Sequence, residues 1–526
     1  LSESRSESFT YTIDNLLTYN AKIKGHSIDA LLGQSWMREN TRLMSIDSGT
    51  NDLGSSSITT YNGAGTVGSN EYKSALLSFF ARVNYDYENR YLLSLSVRRD
   101  ESSKFAKNNR VGYFPSVSAG WNLHQEKFFH SDWISKIKIR GSWGQLGANF
   151  IDPYKFVSLA YGPVPAIFNN KRTSGYVTRF AQTDLKWETS ESTNVGLETS
   201  FFNNSLTFTF DWFWRKNKDL LAPLESLPSS GQTIIINDGD IPYYNTASVQ
   251  NKGIEMTMGY RKQWGAFSMD LSANISFLKN KVIALGEGVQ PIRGSLLSDK
   301  FNDRPTITKV GLPIGTFWGY KIRGINDSGD FLFEGADGTD KTAAQVIEED
   351  KQVLGNPNPD FTYGLNVNLG YKNWDMTMFL QGTQGNDIFA GAKYWLYFHY
   401  DTNTLTDALN SWTTSNKNAS LPIAKTDNYF GGNSLPSSFY IEDGSYLRCK
   451  NLQIGYTFPT TLVKKLSMET VRLYAGVQNL FTITKYPLYD PEVSSNTLFN
   501  RGVDGLQNYS PAVNTRTYNI GFNITF

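Results

Sequence analysis

The densest group of side chains that could bind a ligand is an aromatic run at residues 394–400 (YWLYFHY), where five of seven residues are aromatic. Aromatic faces stack on the apolar C–H surfaces of sugar rings, and they give peptides or a partner protein a rigid contact area. Trp395, Tyr397 and Tyr400 are therefore candidate substrate-binding residues. The alternative is that these side chains pack a short helix of their own loop or contact a partner protein.

Two further clusters lie in the preceding long connection. Residues 317–320 (FWGY) add Trp318 and Tyr320 to the candidate substrate-binding residues. Residues 326–330 (NDSGD) and 337–340 (DGTD) carry closely spaced oxygen ligands of the kind that calcium accepts, which makes Asp327 and Asp330 candidate calcium ligands. The spacing lacks the closing glutamate of an EF-hand, and an ordinary Asp/Asn/Gly turn cluster is the alternative.

Enzyme chemistry has little support in this sequence. It contains no nucleophile elbow, phosphate loop or histidine metal motif. The single cysteine, Cys449, excludes a disulfide within the chain, and the four histidines are too scattered to form a metal site: His26, His124, His130 and His399. We predict no catalysis and no cofactor beyond the candidate calcium. The net charge of +1, with both signs interspersed, also argues against a nucleic-acid partner.

The elements that must position these clusters are long strands with two different faces. In residues 512–526, Tyr518, Ile520, Phe522, Ile524 and Phe526 alternate with small or polar residues, and the chain ends on an aromatic. Residues 81–88, 91–98 and 206–215 repeat the alternation. Such a period of two indicates one apolar and one polar face, which suits strands that cross a bilayer in an outer-membrane barrel.

A soluble β-sandwich would give the same alternation, but with shorter strands. Here the alternation commonly runs for ten or more residues, aromatics make up 14% of the chain, and no apolar run reaches the length of a membrane-spanning helix. No linker or break in composition divides residues 1–526 into separate cores. We therefore predict an all-β fold, a transmembrane antiparallel β-barrel, located in the bacterial outer membrane with its apolar face toward lipid.

Turn spacing predicts about fifteen strands, the first near residues 9–22 and the last ending at Phe526. Short turns are expected on the periplasmic side and long loops on the extracellular side, with large loops at about 147–190, 283–358 and 383–440. Residues 317–325 read as a further strand of uncertain placement. Because single-chain bacterial barrels close with an even number of strands, we predict that this chain is the C-terminal part of a 22-stranded plugged barrel.

Several short motifs in order along the chain resemble the C-terminal half of SusC-type TonB-dependent outer-membrane transporters (the SusC/RagA family) of Bacteroidota-like bacteria. Each motif is weak alone, but their order and spacing together are specific. The motifs are residues 80–87 (FARVNYDY), 90–93 (RYLL), 112–121 (GYFPSVSAGW), 140–145 (RGSWGQ), 184–188 (DLKWE), 355–361 (GNPNPDF), 445–448 (SYLR), 451–456 (NLQIGY) and 476–481 (GVQNLF).

The resemblance implies import of a bulky nutrient, an oligosaccharide or a peptide, across the outer membrane. In that family a SusD-like surface lipoprotein closes over the barrel, and the TonB complex pulls on an N-terminal segment to move a plug. Neither the plug nor the TonB-binding segment is recognisable in this sequence. The resemblance therefore implies as partners a SusD-like lipoprotein, the TonB complex, and an N-terminal plug with the remaining strands.

Arginines on the polar face are candidates for contact with such a plug, because a guanidinium offers a planar fork of donors to carboxylates or carbonyls. Simple solvation of a wide lumen is the alternative reading. The residues concerned are Arg82, Arg98, Arg140 and Arg215, with Asp211 beside them. A passive porin and a barrel-based adhesin or scaffold remain as alternatives to the importer.

Overall fold

The protein is described by a computed structural model in which strands dominate. The residues that the structure describes are 2–47, 66–157, 159–168, 171–179, 183–223, 243–286, 289–297, 301, 303–398, 403–425, 432–493, 497–505 and 514–526. In this described part, no helix combines the length and the apolar character needed to cross a bilayer.

Within the described residues, fifteen strands form one large sheet, here called the wall, in which every strand is hydrogen-bonded to its neighbours in chain order. This simple meander confirms the predicted count of fifteen. The strands are β1 Ser2–Ile23, β2 His26–Asp47, β3 Thr66–Tyr87, β4 Tyr91–Ser102, β5 Val111–Asn122, β6 Ile134–Ala148, β7 Glu188–Phe201, β8 Leu206–Pro223, β9 Tyr243–Trp264, β10 Phe267–Leu285, β11 Phe361–Tyr371, β12 Trp374–Gln384, β13 Tyr446–Thr457, β14 Thr470–Thr484 and β15 Thr517–Thr525.

Tight turns join many of the wall strands. Lys24 and Gly25 both have positive φ, +46° and +86°, as the two central residues of a type I′ hairpin turn require. Glu88 and Asn89 do the same between β3 and β4, and Asn203 and Asn204 between β7 and β8. All three turns are short connections between neighbouring wall strands.

Strand alternation gives the wall two distinct faces. On the apolar face, Val83 lies opposite Leu95, and Leu95 lies opposite Val117. On the polar face, Ser96 shares a hydrogen bond of 2.7 Å with Ser116. At the last strand, Ile520 is 82% exposed, with other large apolar side chains beside it. Exposed apolar rows of this kind are expected where strands face lipid.

The long connections contain short elements of their own. Helix α1 is Ala392–Tyr397, and helix α2, Thr460–Val463, lies between β13 and β14. The short strands form four small sheets: Leu159–Phe168 with Lys171–Arg179; Ile292–Arg293, Thr306–Thr308, Thr316–Gly319 and Gln352–Gly355; Ile322–Ile325, Phe331–Glu334 and Asp340–Lys341; and Asp387–Ala390, Ile441–Asp443 and Val503–Asp504.

One predicted strand is corrected by these small sheets. Residues 317–325 do not form a single strand, because Thr316–Gly319 and Ile322–Ile325 belong to two different sheets outside the wall. The break falls at Tyr320, whose backbone N–H donates to the carbonyl of Pro436 and not to a continuing ladder.

The chain divides into two compact units. Unit 1 comprises residues 1–126, 140–194 and 215–248, and unit 2 comprises residues 127–139, 195–214 and 249–526. In unit 1, an apolar cluster of Phe105, Phe114, Ile151, Leu185 and Trp187 packs where β4 and β6 end and β5 begins. Unit 2 holds the large connections that contain the predicted ligand-binding residues.

Candidate functional site

One small sheet joins two long connections of unit 2, the one between β12 and β13 and the one between β14 and β15. Asp387–Ala390 follows β12, Ile441–Asp443 precedes β13, and Val503–Asp504 lies between β14 and β15. Phe389 pairs antiparallel with Ile441 and parallel with Val503. We call the described parts of residues 286–358, 385–443 and 485–505 together the loop assembly, because this sheet joins the second and third of these connections and an apolar core joins all three.

An aromatic core fills the loop assembly. Leu297, Phe301 and Phe317 come from its first connection, Phe389, Tyr394 and Tyr440 from its second, and Val503 from its third. The Phe301 ring lies 5.3 Å from Tyr440 in an edge-to-face arrangement, and Phe389 stacks on Tyr440 at 5.2 Å. Burial of several aromatic side chains stabilises a cluster of this size strongly. The three connections therefore hold one another in place.

The predicted aromatic run takes part in this core. Tyr394 is fully buried, and Trp395 packs at the margin of the core with its ring 5.3 Å from that of Tyr394. Tyr397 contacts Phe439 edge to face at 6.1 Å. Burial, helped by the nearby carboxylate of Asp407, raises the pKa of Tyr397. The structure thus brings Trp395 and Tyr397 together on α1, while Tyr400 lies outside the described residues.

Trp318 and Tyr320 lie in the first connection of the loop assembly and differ in exposure. The Trp318 ring is partly exposed and has the ammonium of Lys309 at 5.7 Å from its centre. Tyr320 is buried, with the ammonium of Lys351 at 5.5 Å from its ring. Burial and the neighbouring carboxylates of Asp303, Glu348 and Asp350 raise the pKa of Tyr320 to about 12. Tyr320 therefore stays neutral, and Trp318 is the more accessible of the two.

The candidate calcium ligands lie in a turn. The side-chain oxygen of Asn326 accepts the backbone N–H groups of Ser328 and Asp330, both at 2.9 Å, as in an Asx turn. Asp330 pairs with Lys425 at 2.7 Å, and Asp327 is exposed beside Lys417 at 3.5 Å. Among the described residues, no group of three or more His, Cys, Asp or Glu side chains is placed to hold a metal ion.

The four predicted arginines belong to unit 1, where two of them bind wall neighbours. Arg98 Nε donates to both carboxylate oxygens of Asp100, at 2.7 and 2.8 Å, and its Nη2 donates to Ser78. Arg140 Nη1 donates to the side-chain oxygen of Asn194 at 2.9 Å. Arg82 and Arg215 are exposed. All four remain candidate plug contacts.

A site that sequence reasoning missed lies around Arg448. This side chain is 2% exposed and donates to Asp490 and Glu492, both at 2.7 Å, and to Thr482 at 2.8 Å. Burial opposes the ionisation of Asp490, but Arg448 and further donors outweigh it and lower the pKa of that carboxyl. In the sequence, residues 445–448 stand out only as a family motif, because nothing there shows which acids lie opposite Arg448.

A meander of long strands with one apolar and one polar face defines the class of outer-membrane β-barrel proteins. Residues 2–480 match the family model described as "TonB dependent receptor-like, beta-barrel". The chain belongs to this family, whose members are receptors of the outer membrane and not enzymes. The predictions of a barrel fold, an outer-membrane location and no catalysis are thereby confirmed.

Two curated relatives place the chain near SusC, as its motifs predicted. TonB-dependent receptor P3 of Formosa agariphila is 32% identical over 553 residues, which cover 98% of this chain and 52% of the relative. TonB-dependent receptor SusC of Bacteroides thetaiotaomicron is 29% identical over 473 residues, which cover 86% of this chain and 44% of the relative. The chain thus spans about half the length of the curated relatives it matches.

A solved structure shows the same fold. The RagAB peptide transporter superposes with a TM-score of 0.83 at 23% sequence identity, covering 100% of this chain and 56% of the transporter chain. At this level of identity the likeness concerns the fold alone.

Proposed function

We propose that this chain supplies the wall and the loop assembly of a TonB-energised outer-membrane importer. Its cargo is a bulky nutrient, an oligosaccharide or a peptide, and its partner is a SusD-like surface lipoprotein. The observation that carries the proposal is the family match over residues 2–480 on a wall with an exposed apolar face. SusC is among the relatives of the chain, and the RagAB peptide transporter has the same fold.

The loop assembly supports capture of a large cargo. Its three connections share one aromatic core, so they present a preformed surface and not three independent loops. Preformed surfaces bind with a smaller entropic cost than loops that must order on binding. Trp318, Trp395 and Tyr397 lie at the margins of this assembly, where cargo or the lipoprotein would contact them.

We also propose that the wall is completed by further strands and a plug. Within the described residues, β1 stands at one end of the sheet order and β15 at the other, and they do not pair with each other. An open edge is not tolerated in lipid, because its N–H and C=O groups would lack partners. Arg82, Arg98, Arg140 and Arg215 would then face the plug from the polar side of the wall.

A native pull-down from detergent-solubilised outer membranes tests this function. The chain is the bait, and mass spectrometry identifies every retained polypeptide and the intact mass of the bait. We expect a SusD-like lipoprotein and a plug-bearing segment to be retained. Recovery of the bait alone, as a barrel that conducts ions in planar bilayers, would contradict the importer and favour a porin.

A further inference from the structure

Arg448 and Lys450 place two positive charges on the polar face of the wall beside a β-bulge in β13. Arg448 lies opposite Gln381, Cys449 opposite Leu380, and Asn451 opposite Phe379, so Lys450 is an extra residue without a partner in β12. Before the bulge, the even-numbered residues of β13 face the polar side of the wall. After the bulge, the odd-numbered residues face it. Bulges re-aim side chains in this way, often beside functional sites.

The chain's own Glu492 neutralises this charge. Its Oε2 accepts from Arg448 Nη1 at 2.7 Å, from Lys450 Nζ at 2.6 Å and from Asn514 Nδ2 at 3.3 Å. Two cations and an amide that converge on one carboxylate oxygen form the donor set of a carboxylate-binding site.

The two acids bound by Arg448 are held very differently. Asp490 is buried and also accepts the backbone N–H of Glu492 at 2.8 Å and Asn514 Nδ2 at 2.9 Å. The side chain of Glu492 is 34% exposed. Asp490 is therefore a fixed structural partner that leaves one guanidinium nitrogen for a second acid. Glu492 is the acid that an incoming group can reach and replace.

The segment that carries Glu492 leads into the loop assembly. Tyr486, at its start, is buried against Ile388 and Ala390 and donates its hydroxyl to Asp504 at 2.7 Å. Further on, Val503 joins the small sheet at Phe389. Packing of Tyr486 and backbone pairing of Val503 thus hold the two ends of this segment, and Asp490 and Glu492 hold its middle to the wall. Exchange at Glu492 would release that side chain while Asp490 keeps the segment in place.

We propose that Arg448, Lys450 and Asn514 form a carboxylate-binding site that the Glu492 side chain occupies until a carboxylate of the cargo displaces it, while Asp490 stays bound to Arg448. This inference rests on the proposed import function and narrows the cargo to molecules that carry a carboxylate. An acidic sugar and the C-terminus of a peptide share that chemistry. The exchange involves no covalent step, since one carboxylate replaces another on the same donors.

Equilibrium binding to the purified full-length transporter tests the site. The probes are trigalacturonate against neutral galactotriose, and trialanine against its C-terminal amide, so that the two sources of carboxylate are distinguished. We expect at least one carboxylated probe to bind, its neutral counterpart to bind more weakly, and hydrogen exchange in residues 491–493, next to the displaced Glu492 side chain, to rise only with the carboxylated probe.

Two variants of the site and one control variant extend the binding test. Glu492→Gln removes the internal competitor and should tighten binding of the carboxylated probe by about tenfold. Lys450→Met should weaken it by about tenfold, because one of the two cations is lost. Lys425→Met is the matched control, since Lys425 also pairs with an acid but lies elsewhere in unit 2. If thermal unfolding shows that Lys450→Met is not folded, Lys450→Gln replaces it.

Equal affinities for carboxylated and neutral probes, or unchanged binding in Glu492→Gln, would overturn the proposal. Uptake of nutrients by cells with the wild-type protein is measured in parallel. Uptake without displacement of Glu492 would contradict this site alone. Displacement of Glu492 without energised uptake would contradict the import function but would still support the carboxylate-binding site.

Discussion

Buried charged side chains fix the long connections at particular points. Asp350, in the first connection of the loop assembly, accepts Lys341 Nζ and the backbone N–H groups of Ala336 and Ile347, each at 2.8 Å. These donors lower the pKa of Asp350 to about 2. A single carboxylate thus ties together three points of a stretch that has little regular secondary structure.

The lowered pKa of Asp350 predicts acid sensitivity. Ionised Asp350 stabilises this turn fully above its ordinary pKa of 3.8, and that contribution is lost as the pH falls through about 2. We expect pepsin to cleave residues 336–350 at least about tenfold faster at pH 2 than at pH 4, after correction for pepsin activity on an unfolded peptide. Asp350→Asn should remove most of this difference, and equal cleavage of the wild type at both pH values would contradict it.

The indole of Trp395 combines packing with a predicted contact to cargo. Trp395→Ala should destabilise the loop assembly by about 1–3 kcal/mol, because the side chain lies at the margin of the aromatic core. If it also stacks on cargo, affinity falls by about tenfold in Trp395→Ala and is largely kept in Trp395→Phe. Protease resistance and cargo binding of the full-length transporter separate the two effects. Unchanged affinity in Trp395→Ala would remove this residue from the cargo site.

At the scale of elements, close backbone contact joins two connections of the loop assembly. A Cβ at Gly319 would lie 2.2 Å from the carbonyl oxygen of Pro436, where Tyr320 N–H already donates at 2.9 Å. Because the clashing atoms belong to the backbone of Pro436, they cannot move away as the end of a flexible side chain could. Glycine is therefore required at this position for steric reasons.

Gly319→Ala should consequently loosen the loop assembly by about 1–3 kcal/mol, the usual cost of overpacking. Gly324→Ala is the matched control, because a Cβ at Gly324 meets nothing within 4 Å. Hydrogen exchange of Tyr320 and Ser438, whose backbone groups join the connections, provides the measurement. Equal exchange in the two variants would contradict the steric argument.

The wall strands could be predicted from the sequence because their signal is local. Alternation within each strand and turn residues such as Lys24 and Gly25 are sufficient to place them. The loop assembly could not be predicted in this way, because the partners of Phe389 are Ile441 and Val503, far away along the chain. For the same reason, sequence alone did not reveal that Tyr394 is a core residue or that Arg448 binds Asp490 and Glu492.

At the scale of the whole molecule, the apolar face of the wall should lie in lipid. Ile520→Arg should destabilise the inserted protein by about 2–4 kcal/mol if the residue lies near the middle of the bilayer. Asn519→Arg, on the opposite face of the same strand, is the control. Folding into lipid vesicles, followed by the shift of heat-modifiable mobility on gels, measures the difference. Equal folding of both variants would contradict the assignment of faces.

Measurement of cargo uptake in cells tests directly whether this protein is an energised importer. Uptake of labelled oligosaccharides and peptides is followed in cells that contain or lack the protein, with and without an agent that collapses the proton gradient of the inner membrane. We expect at least one class of cargo to enter only when both the protein and the gradient are present. Protein-dependent uptake that persists after the gradient collapses would show a passive channel and contradict energised import.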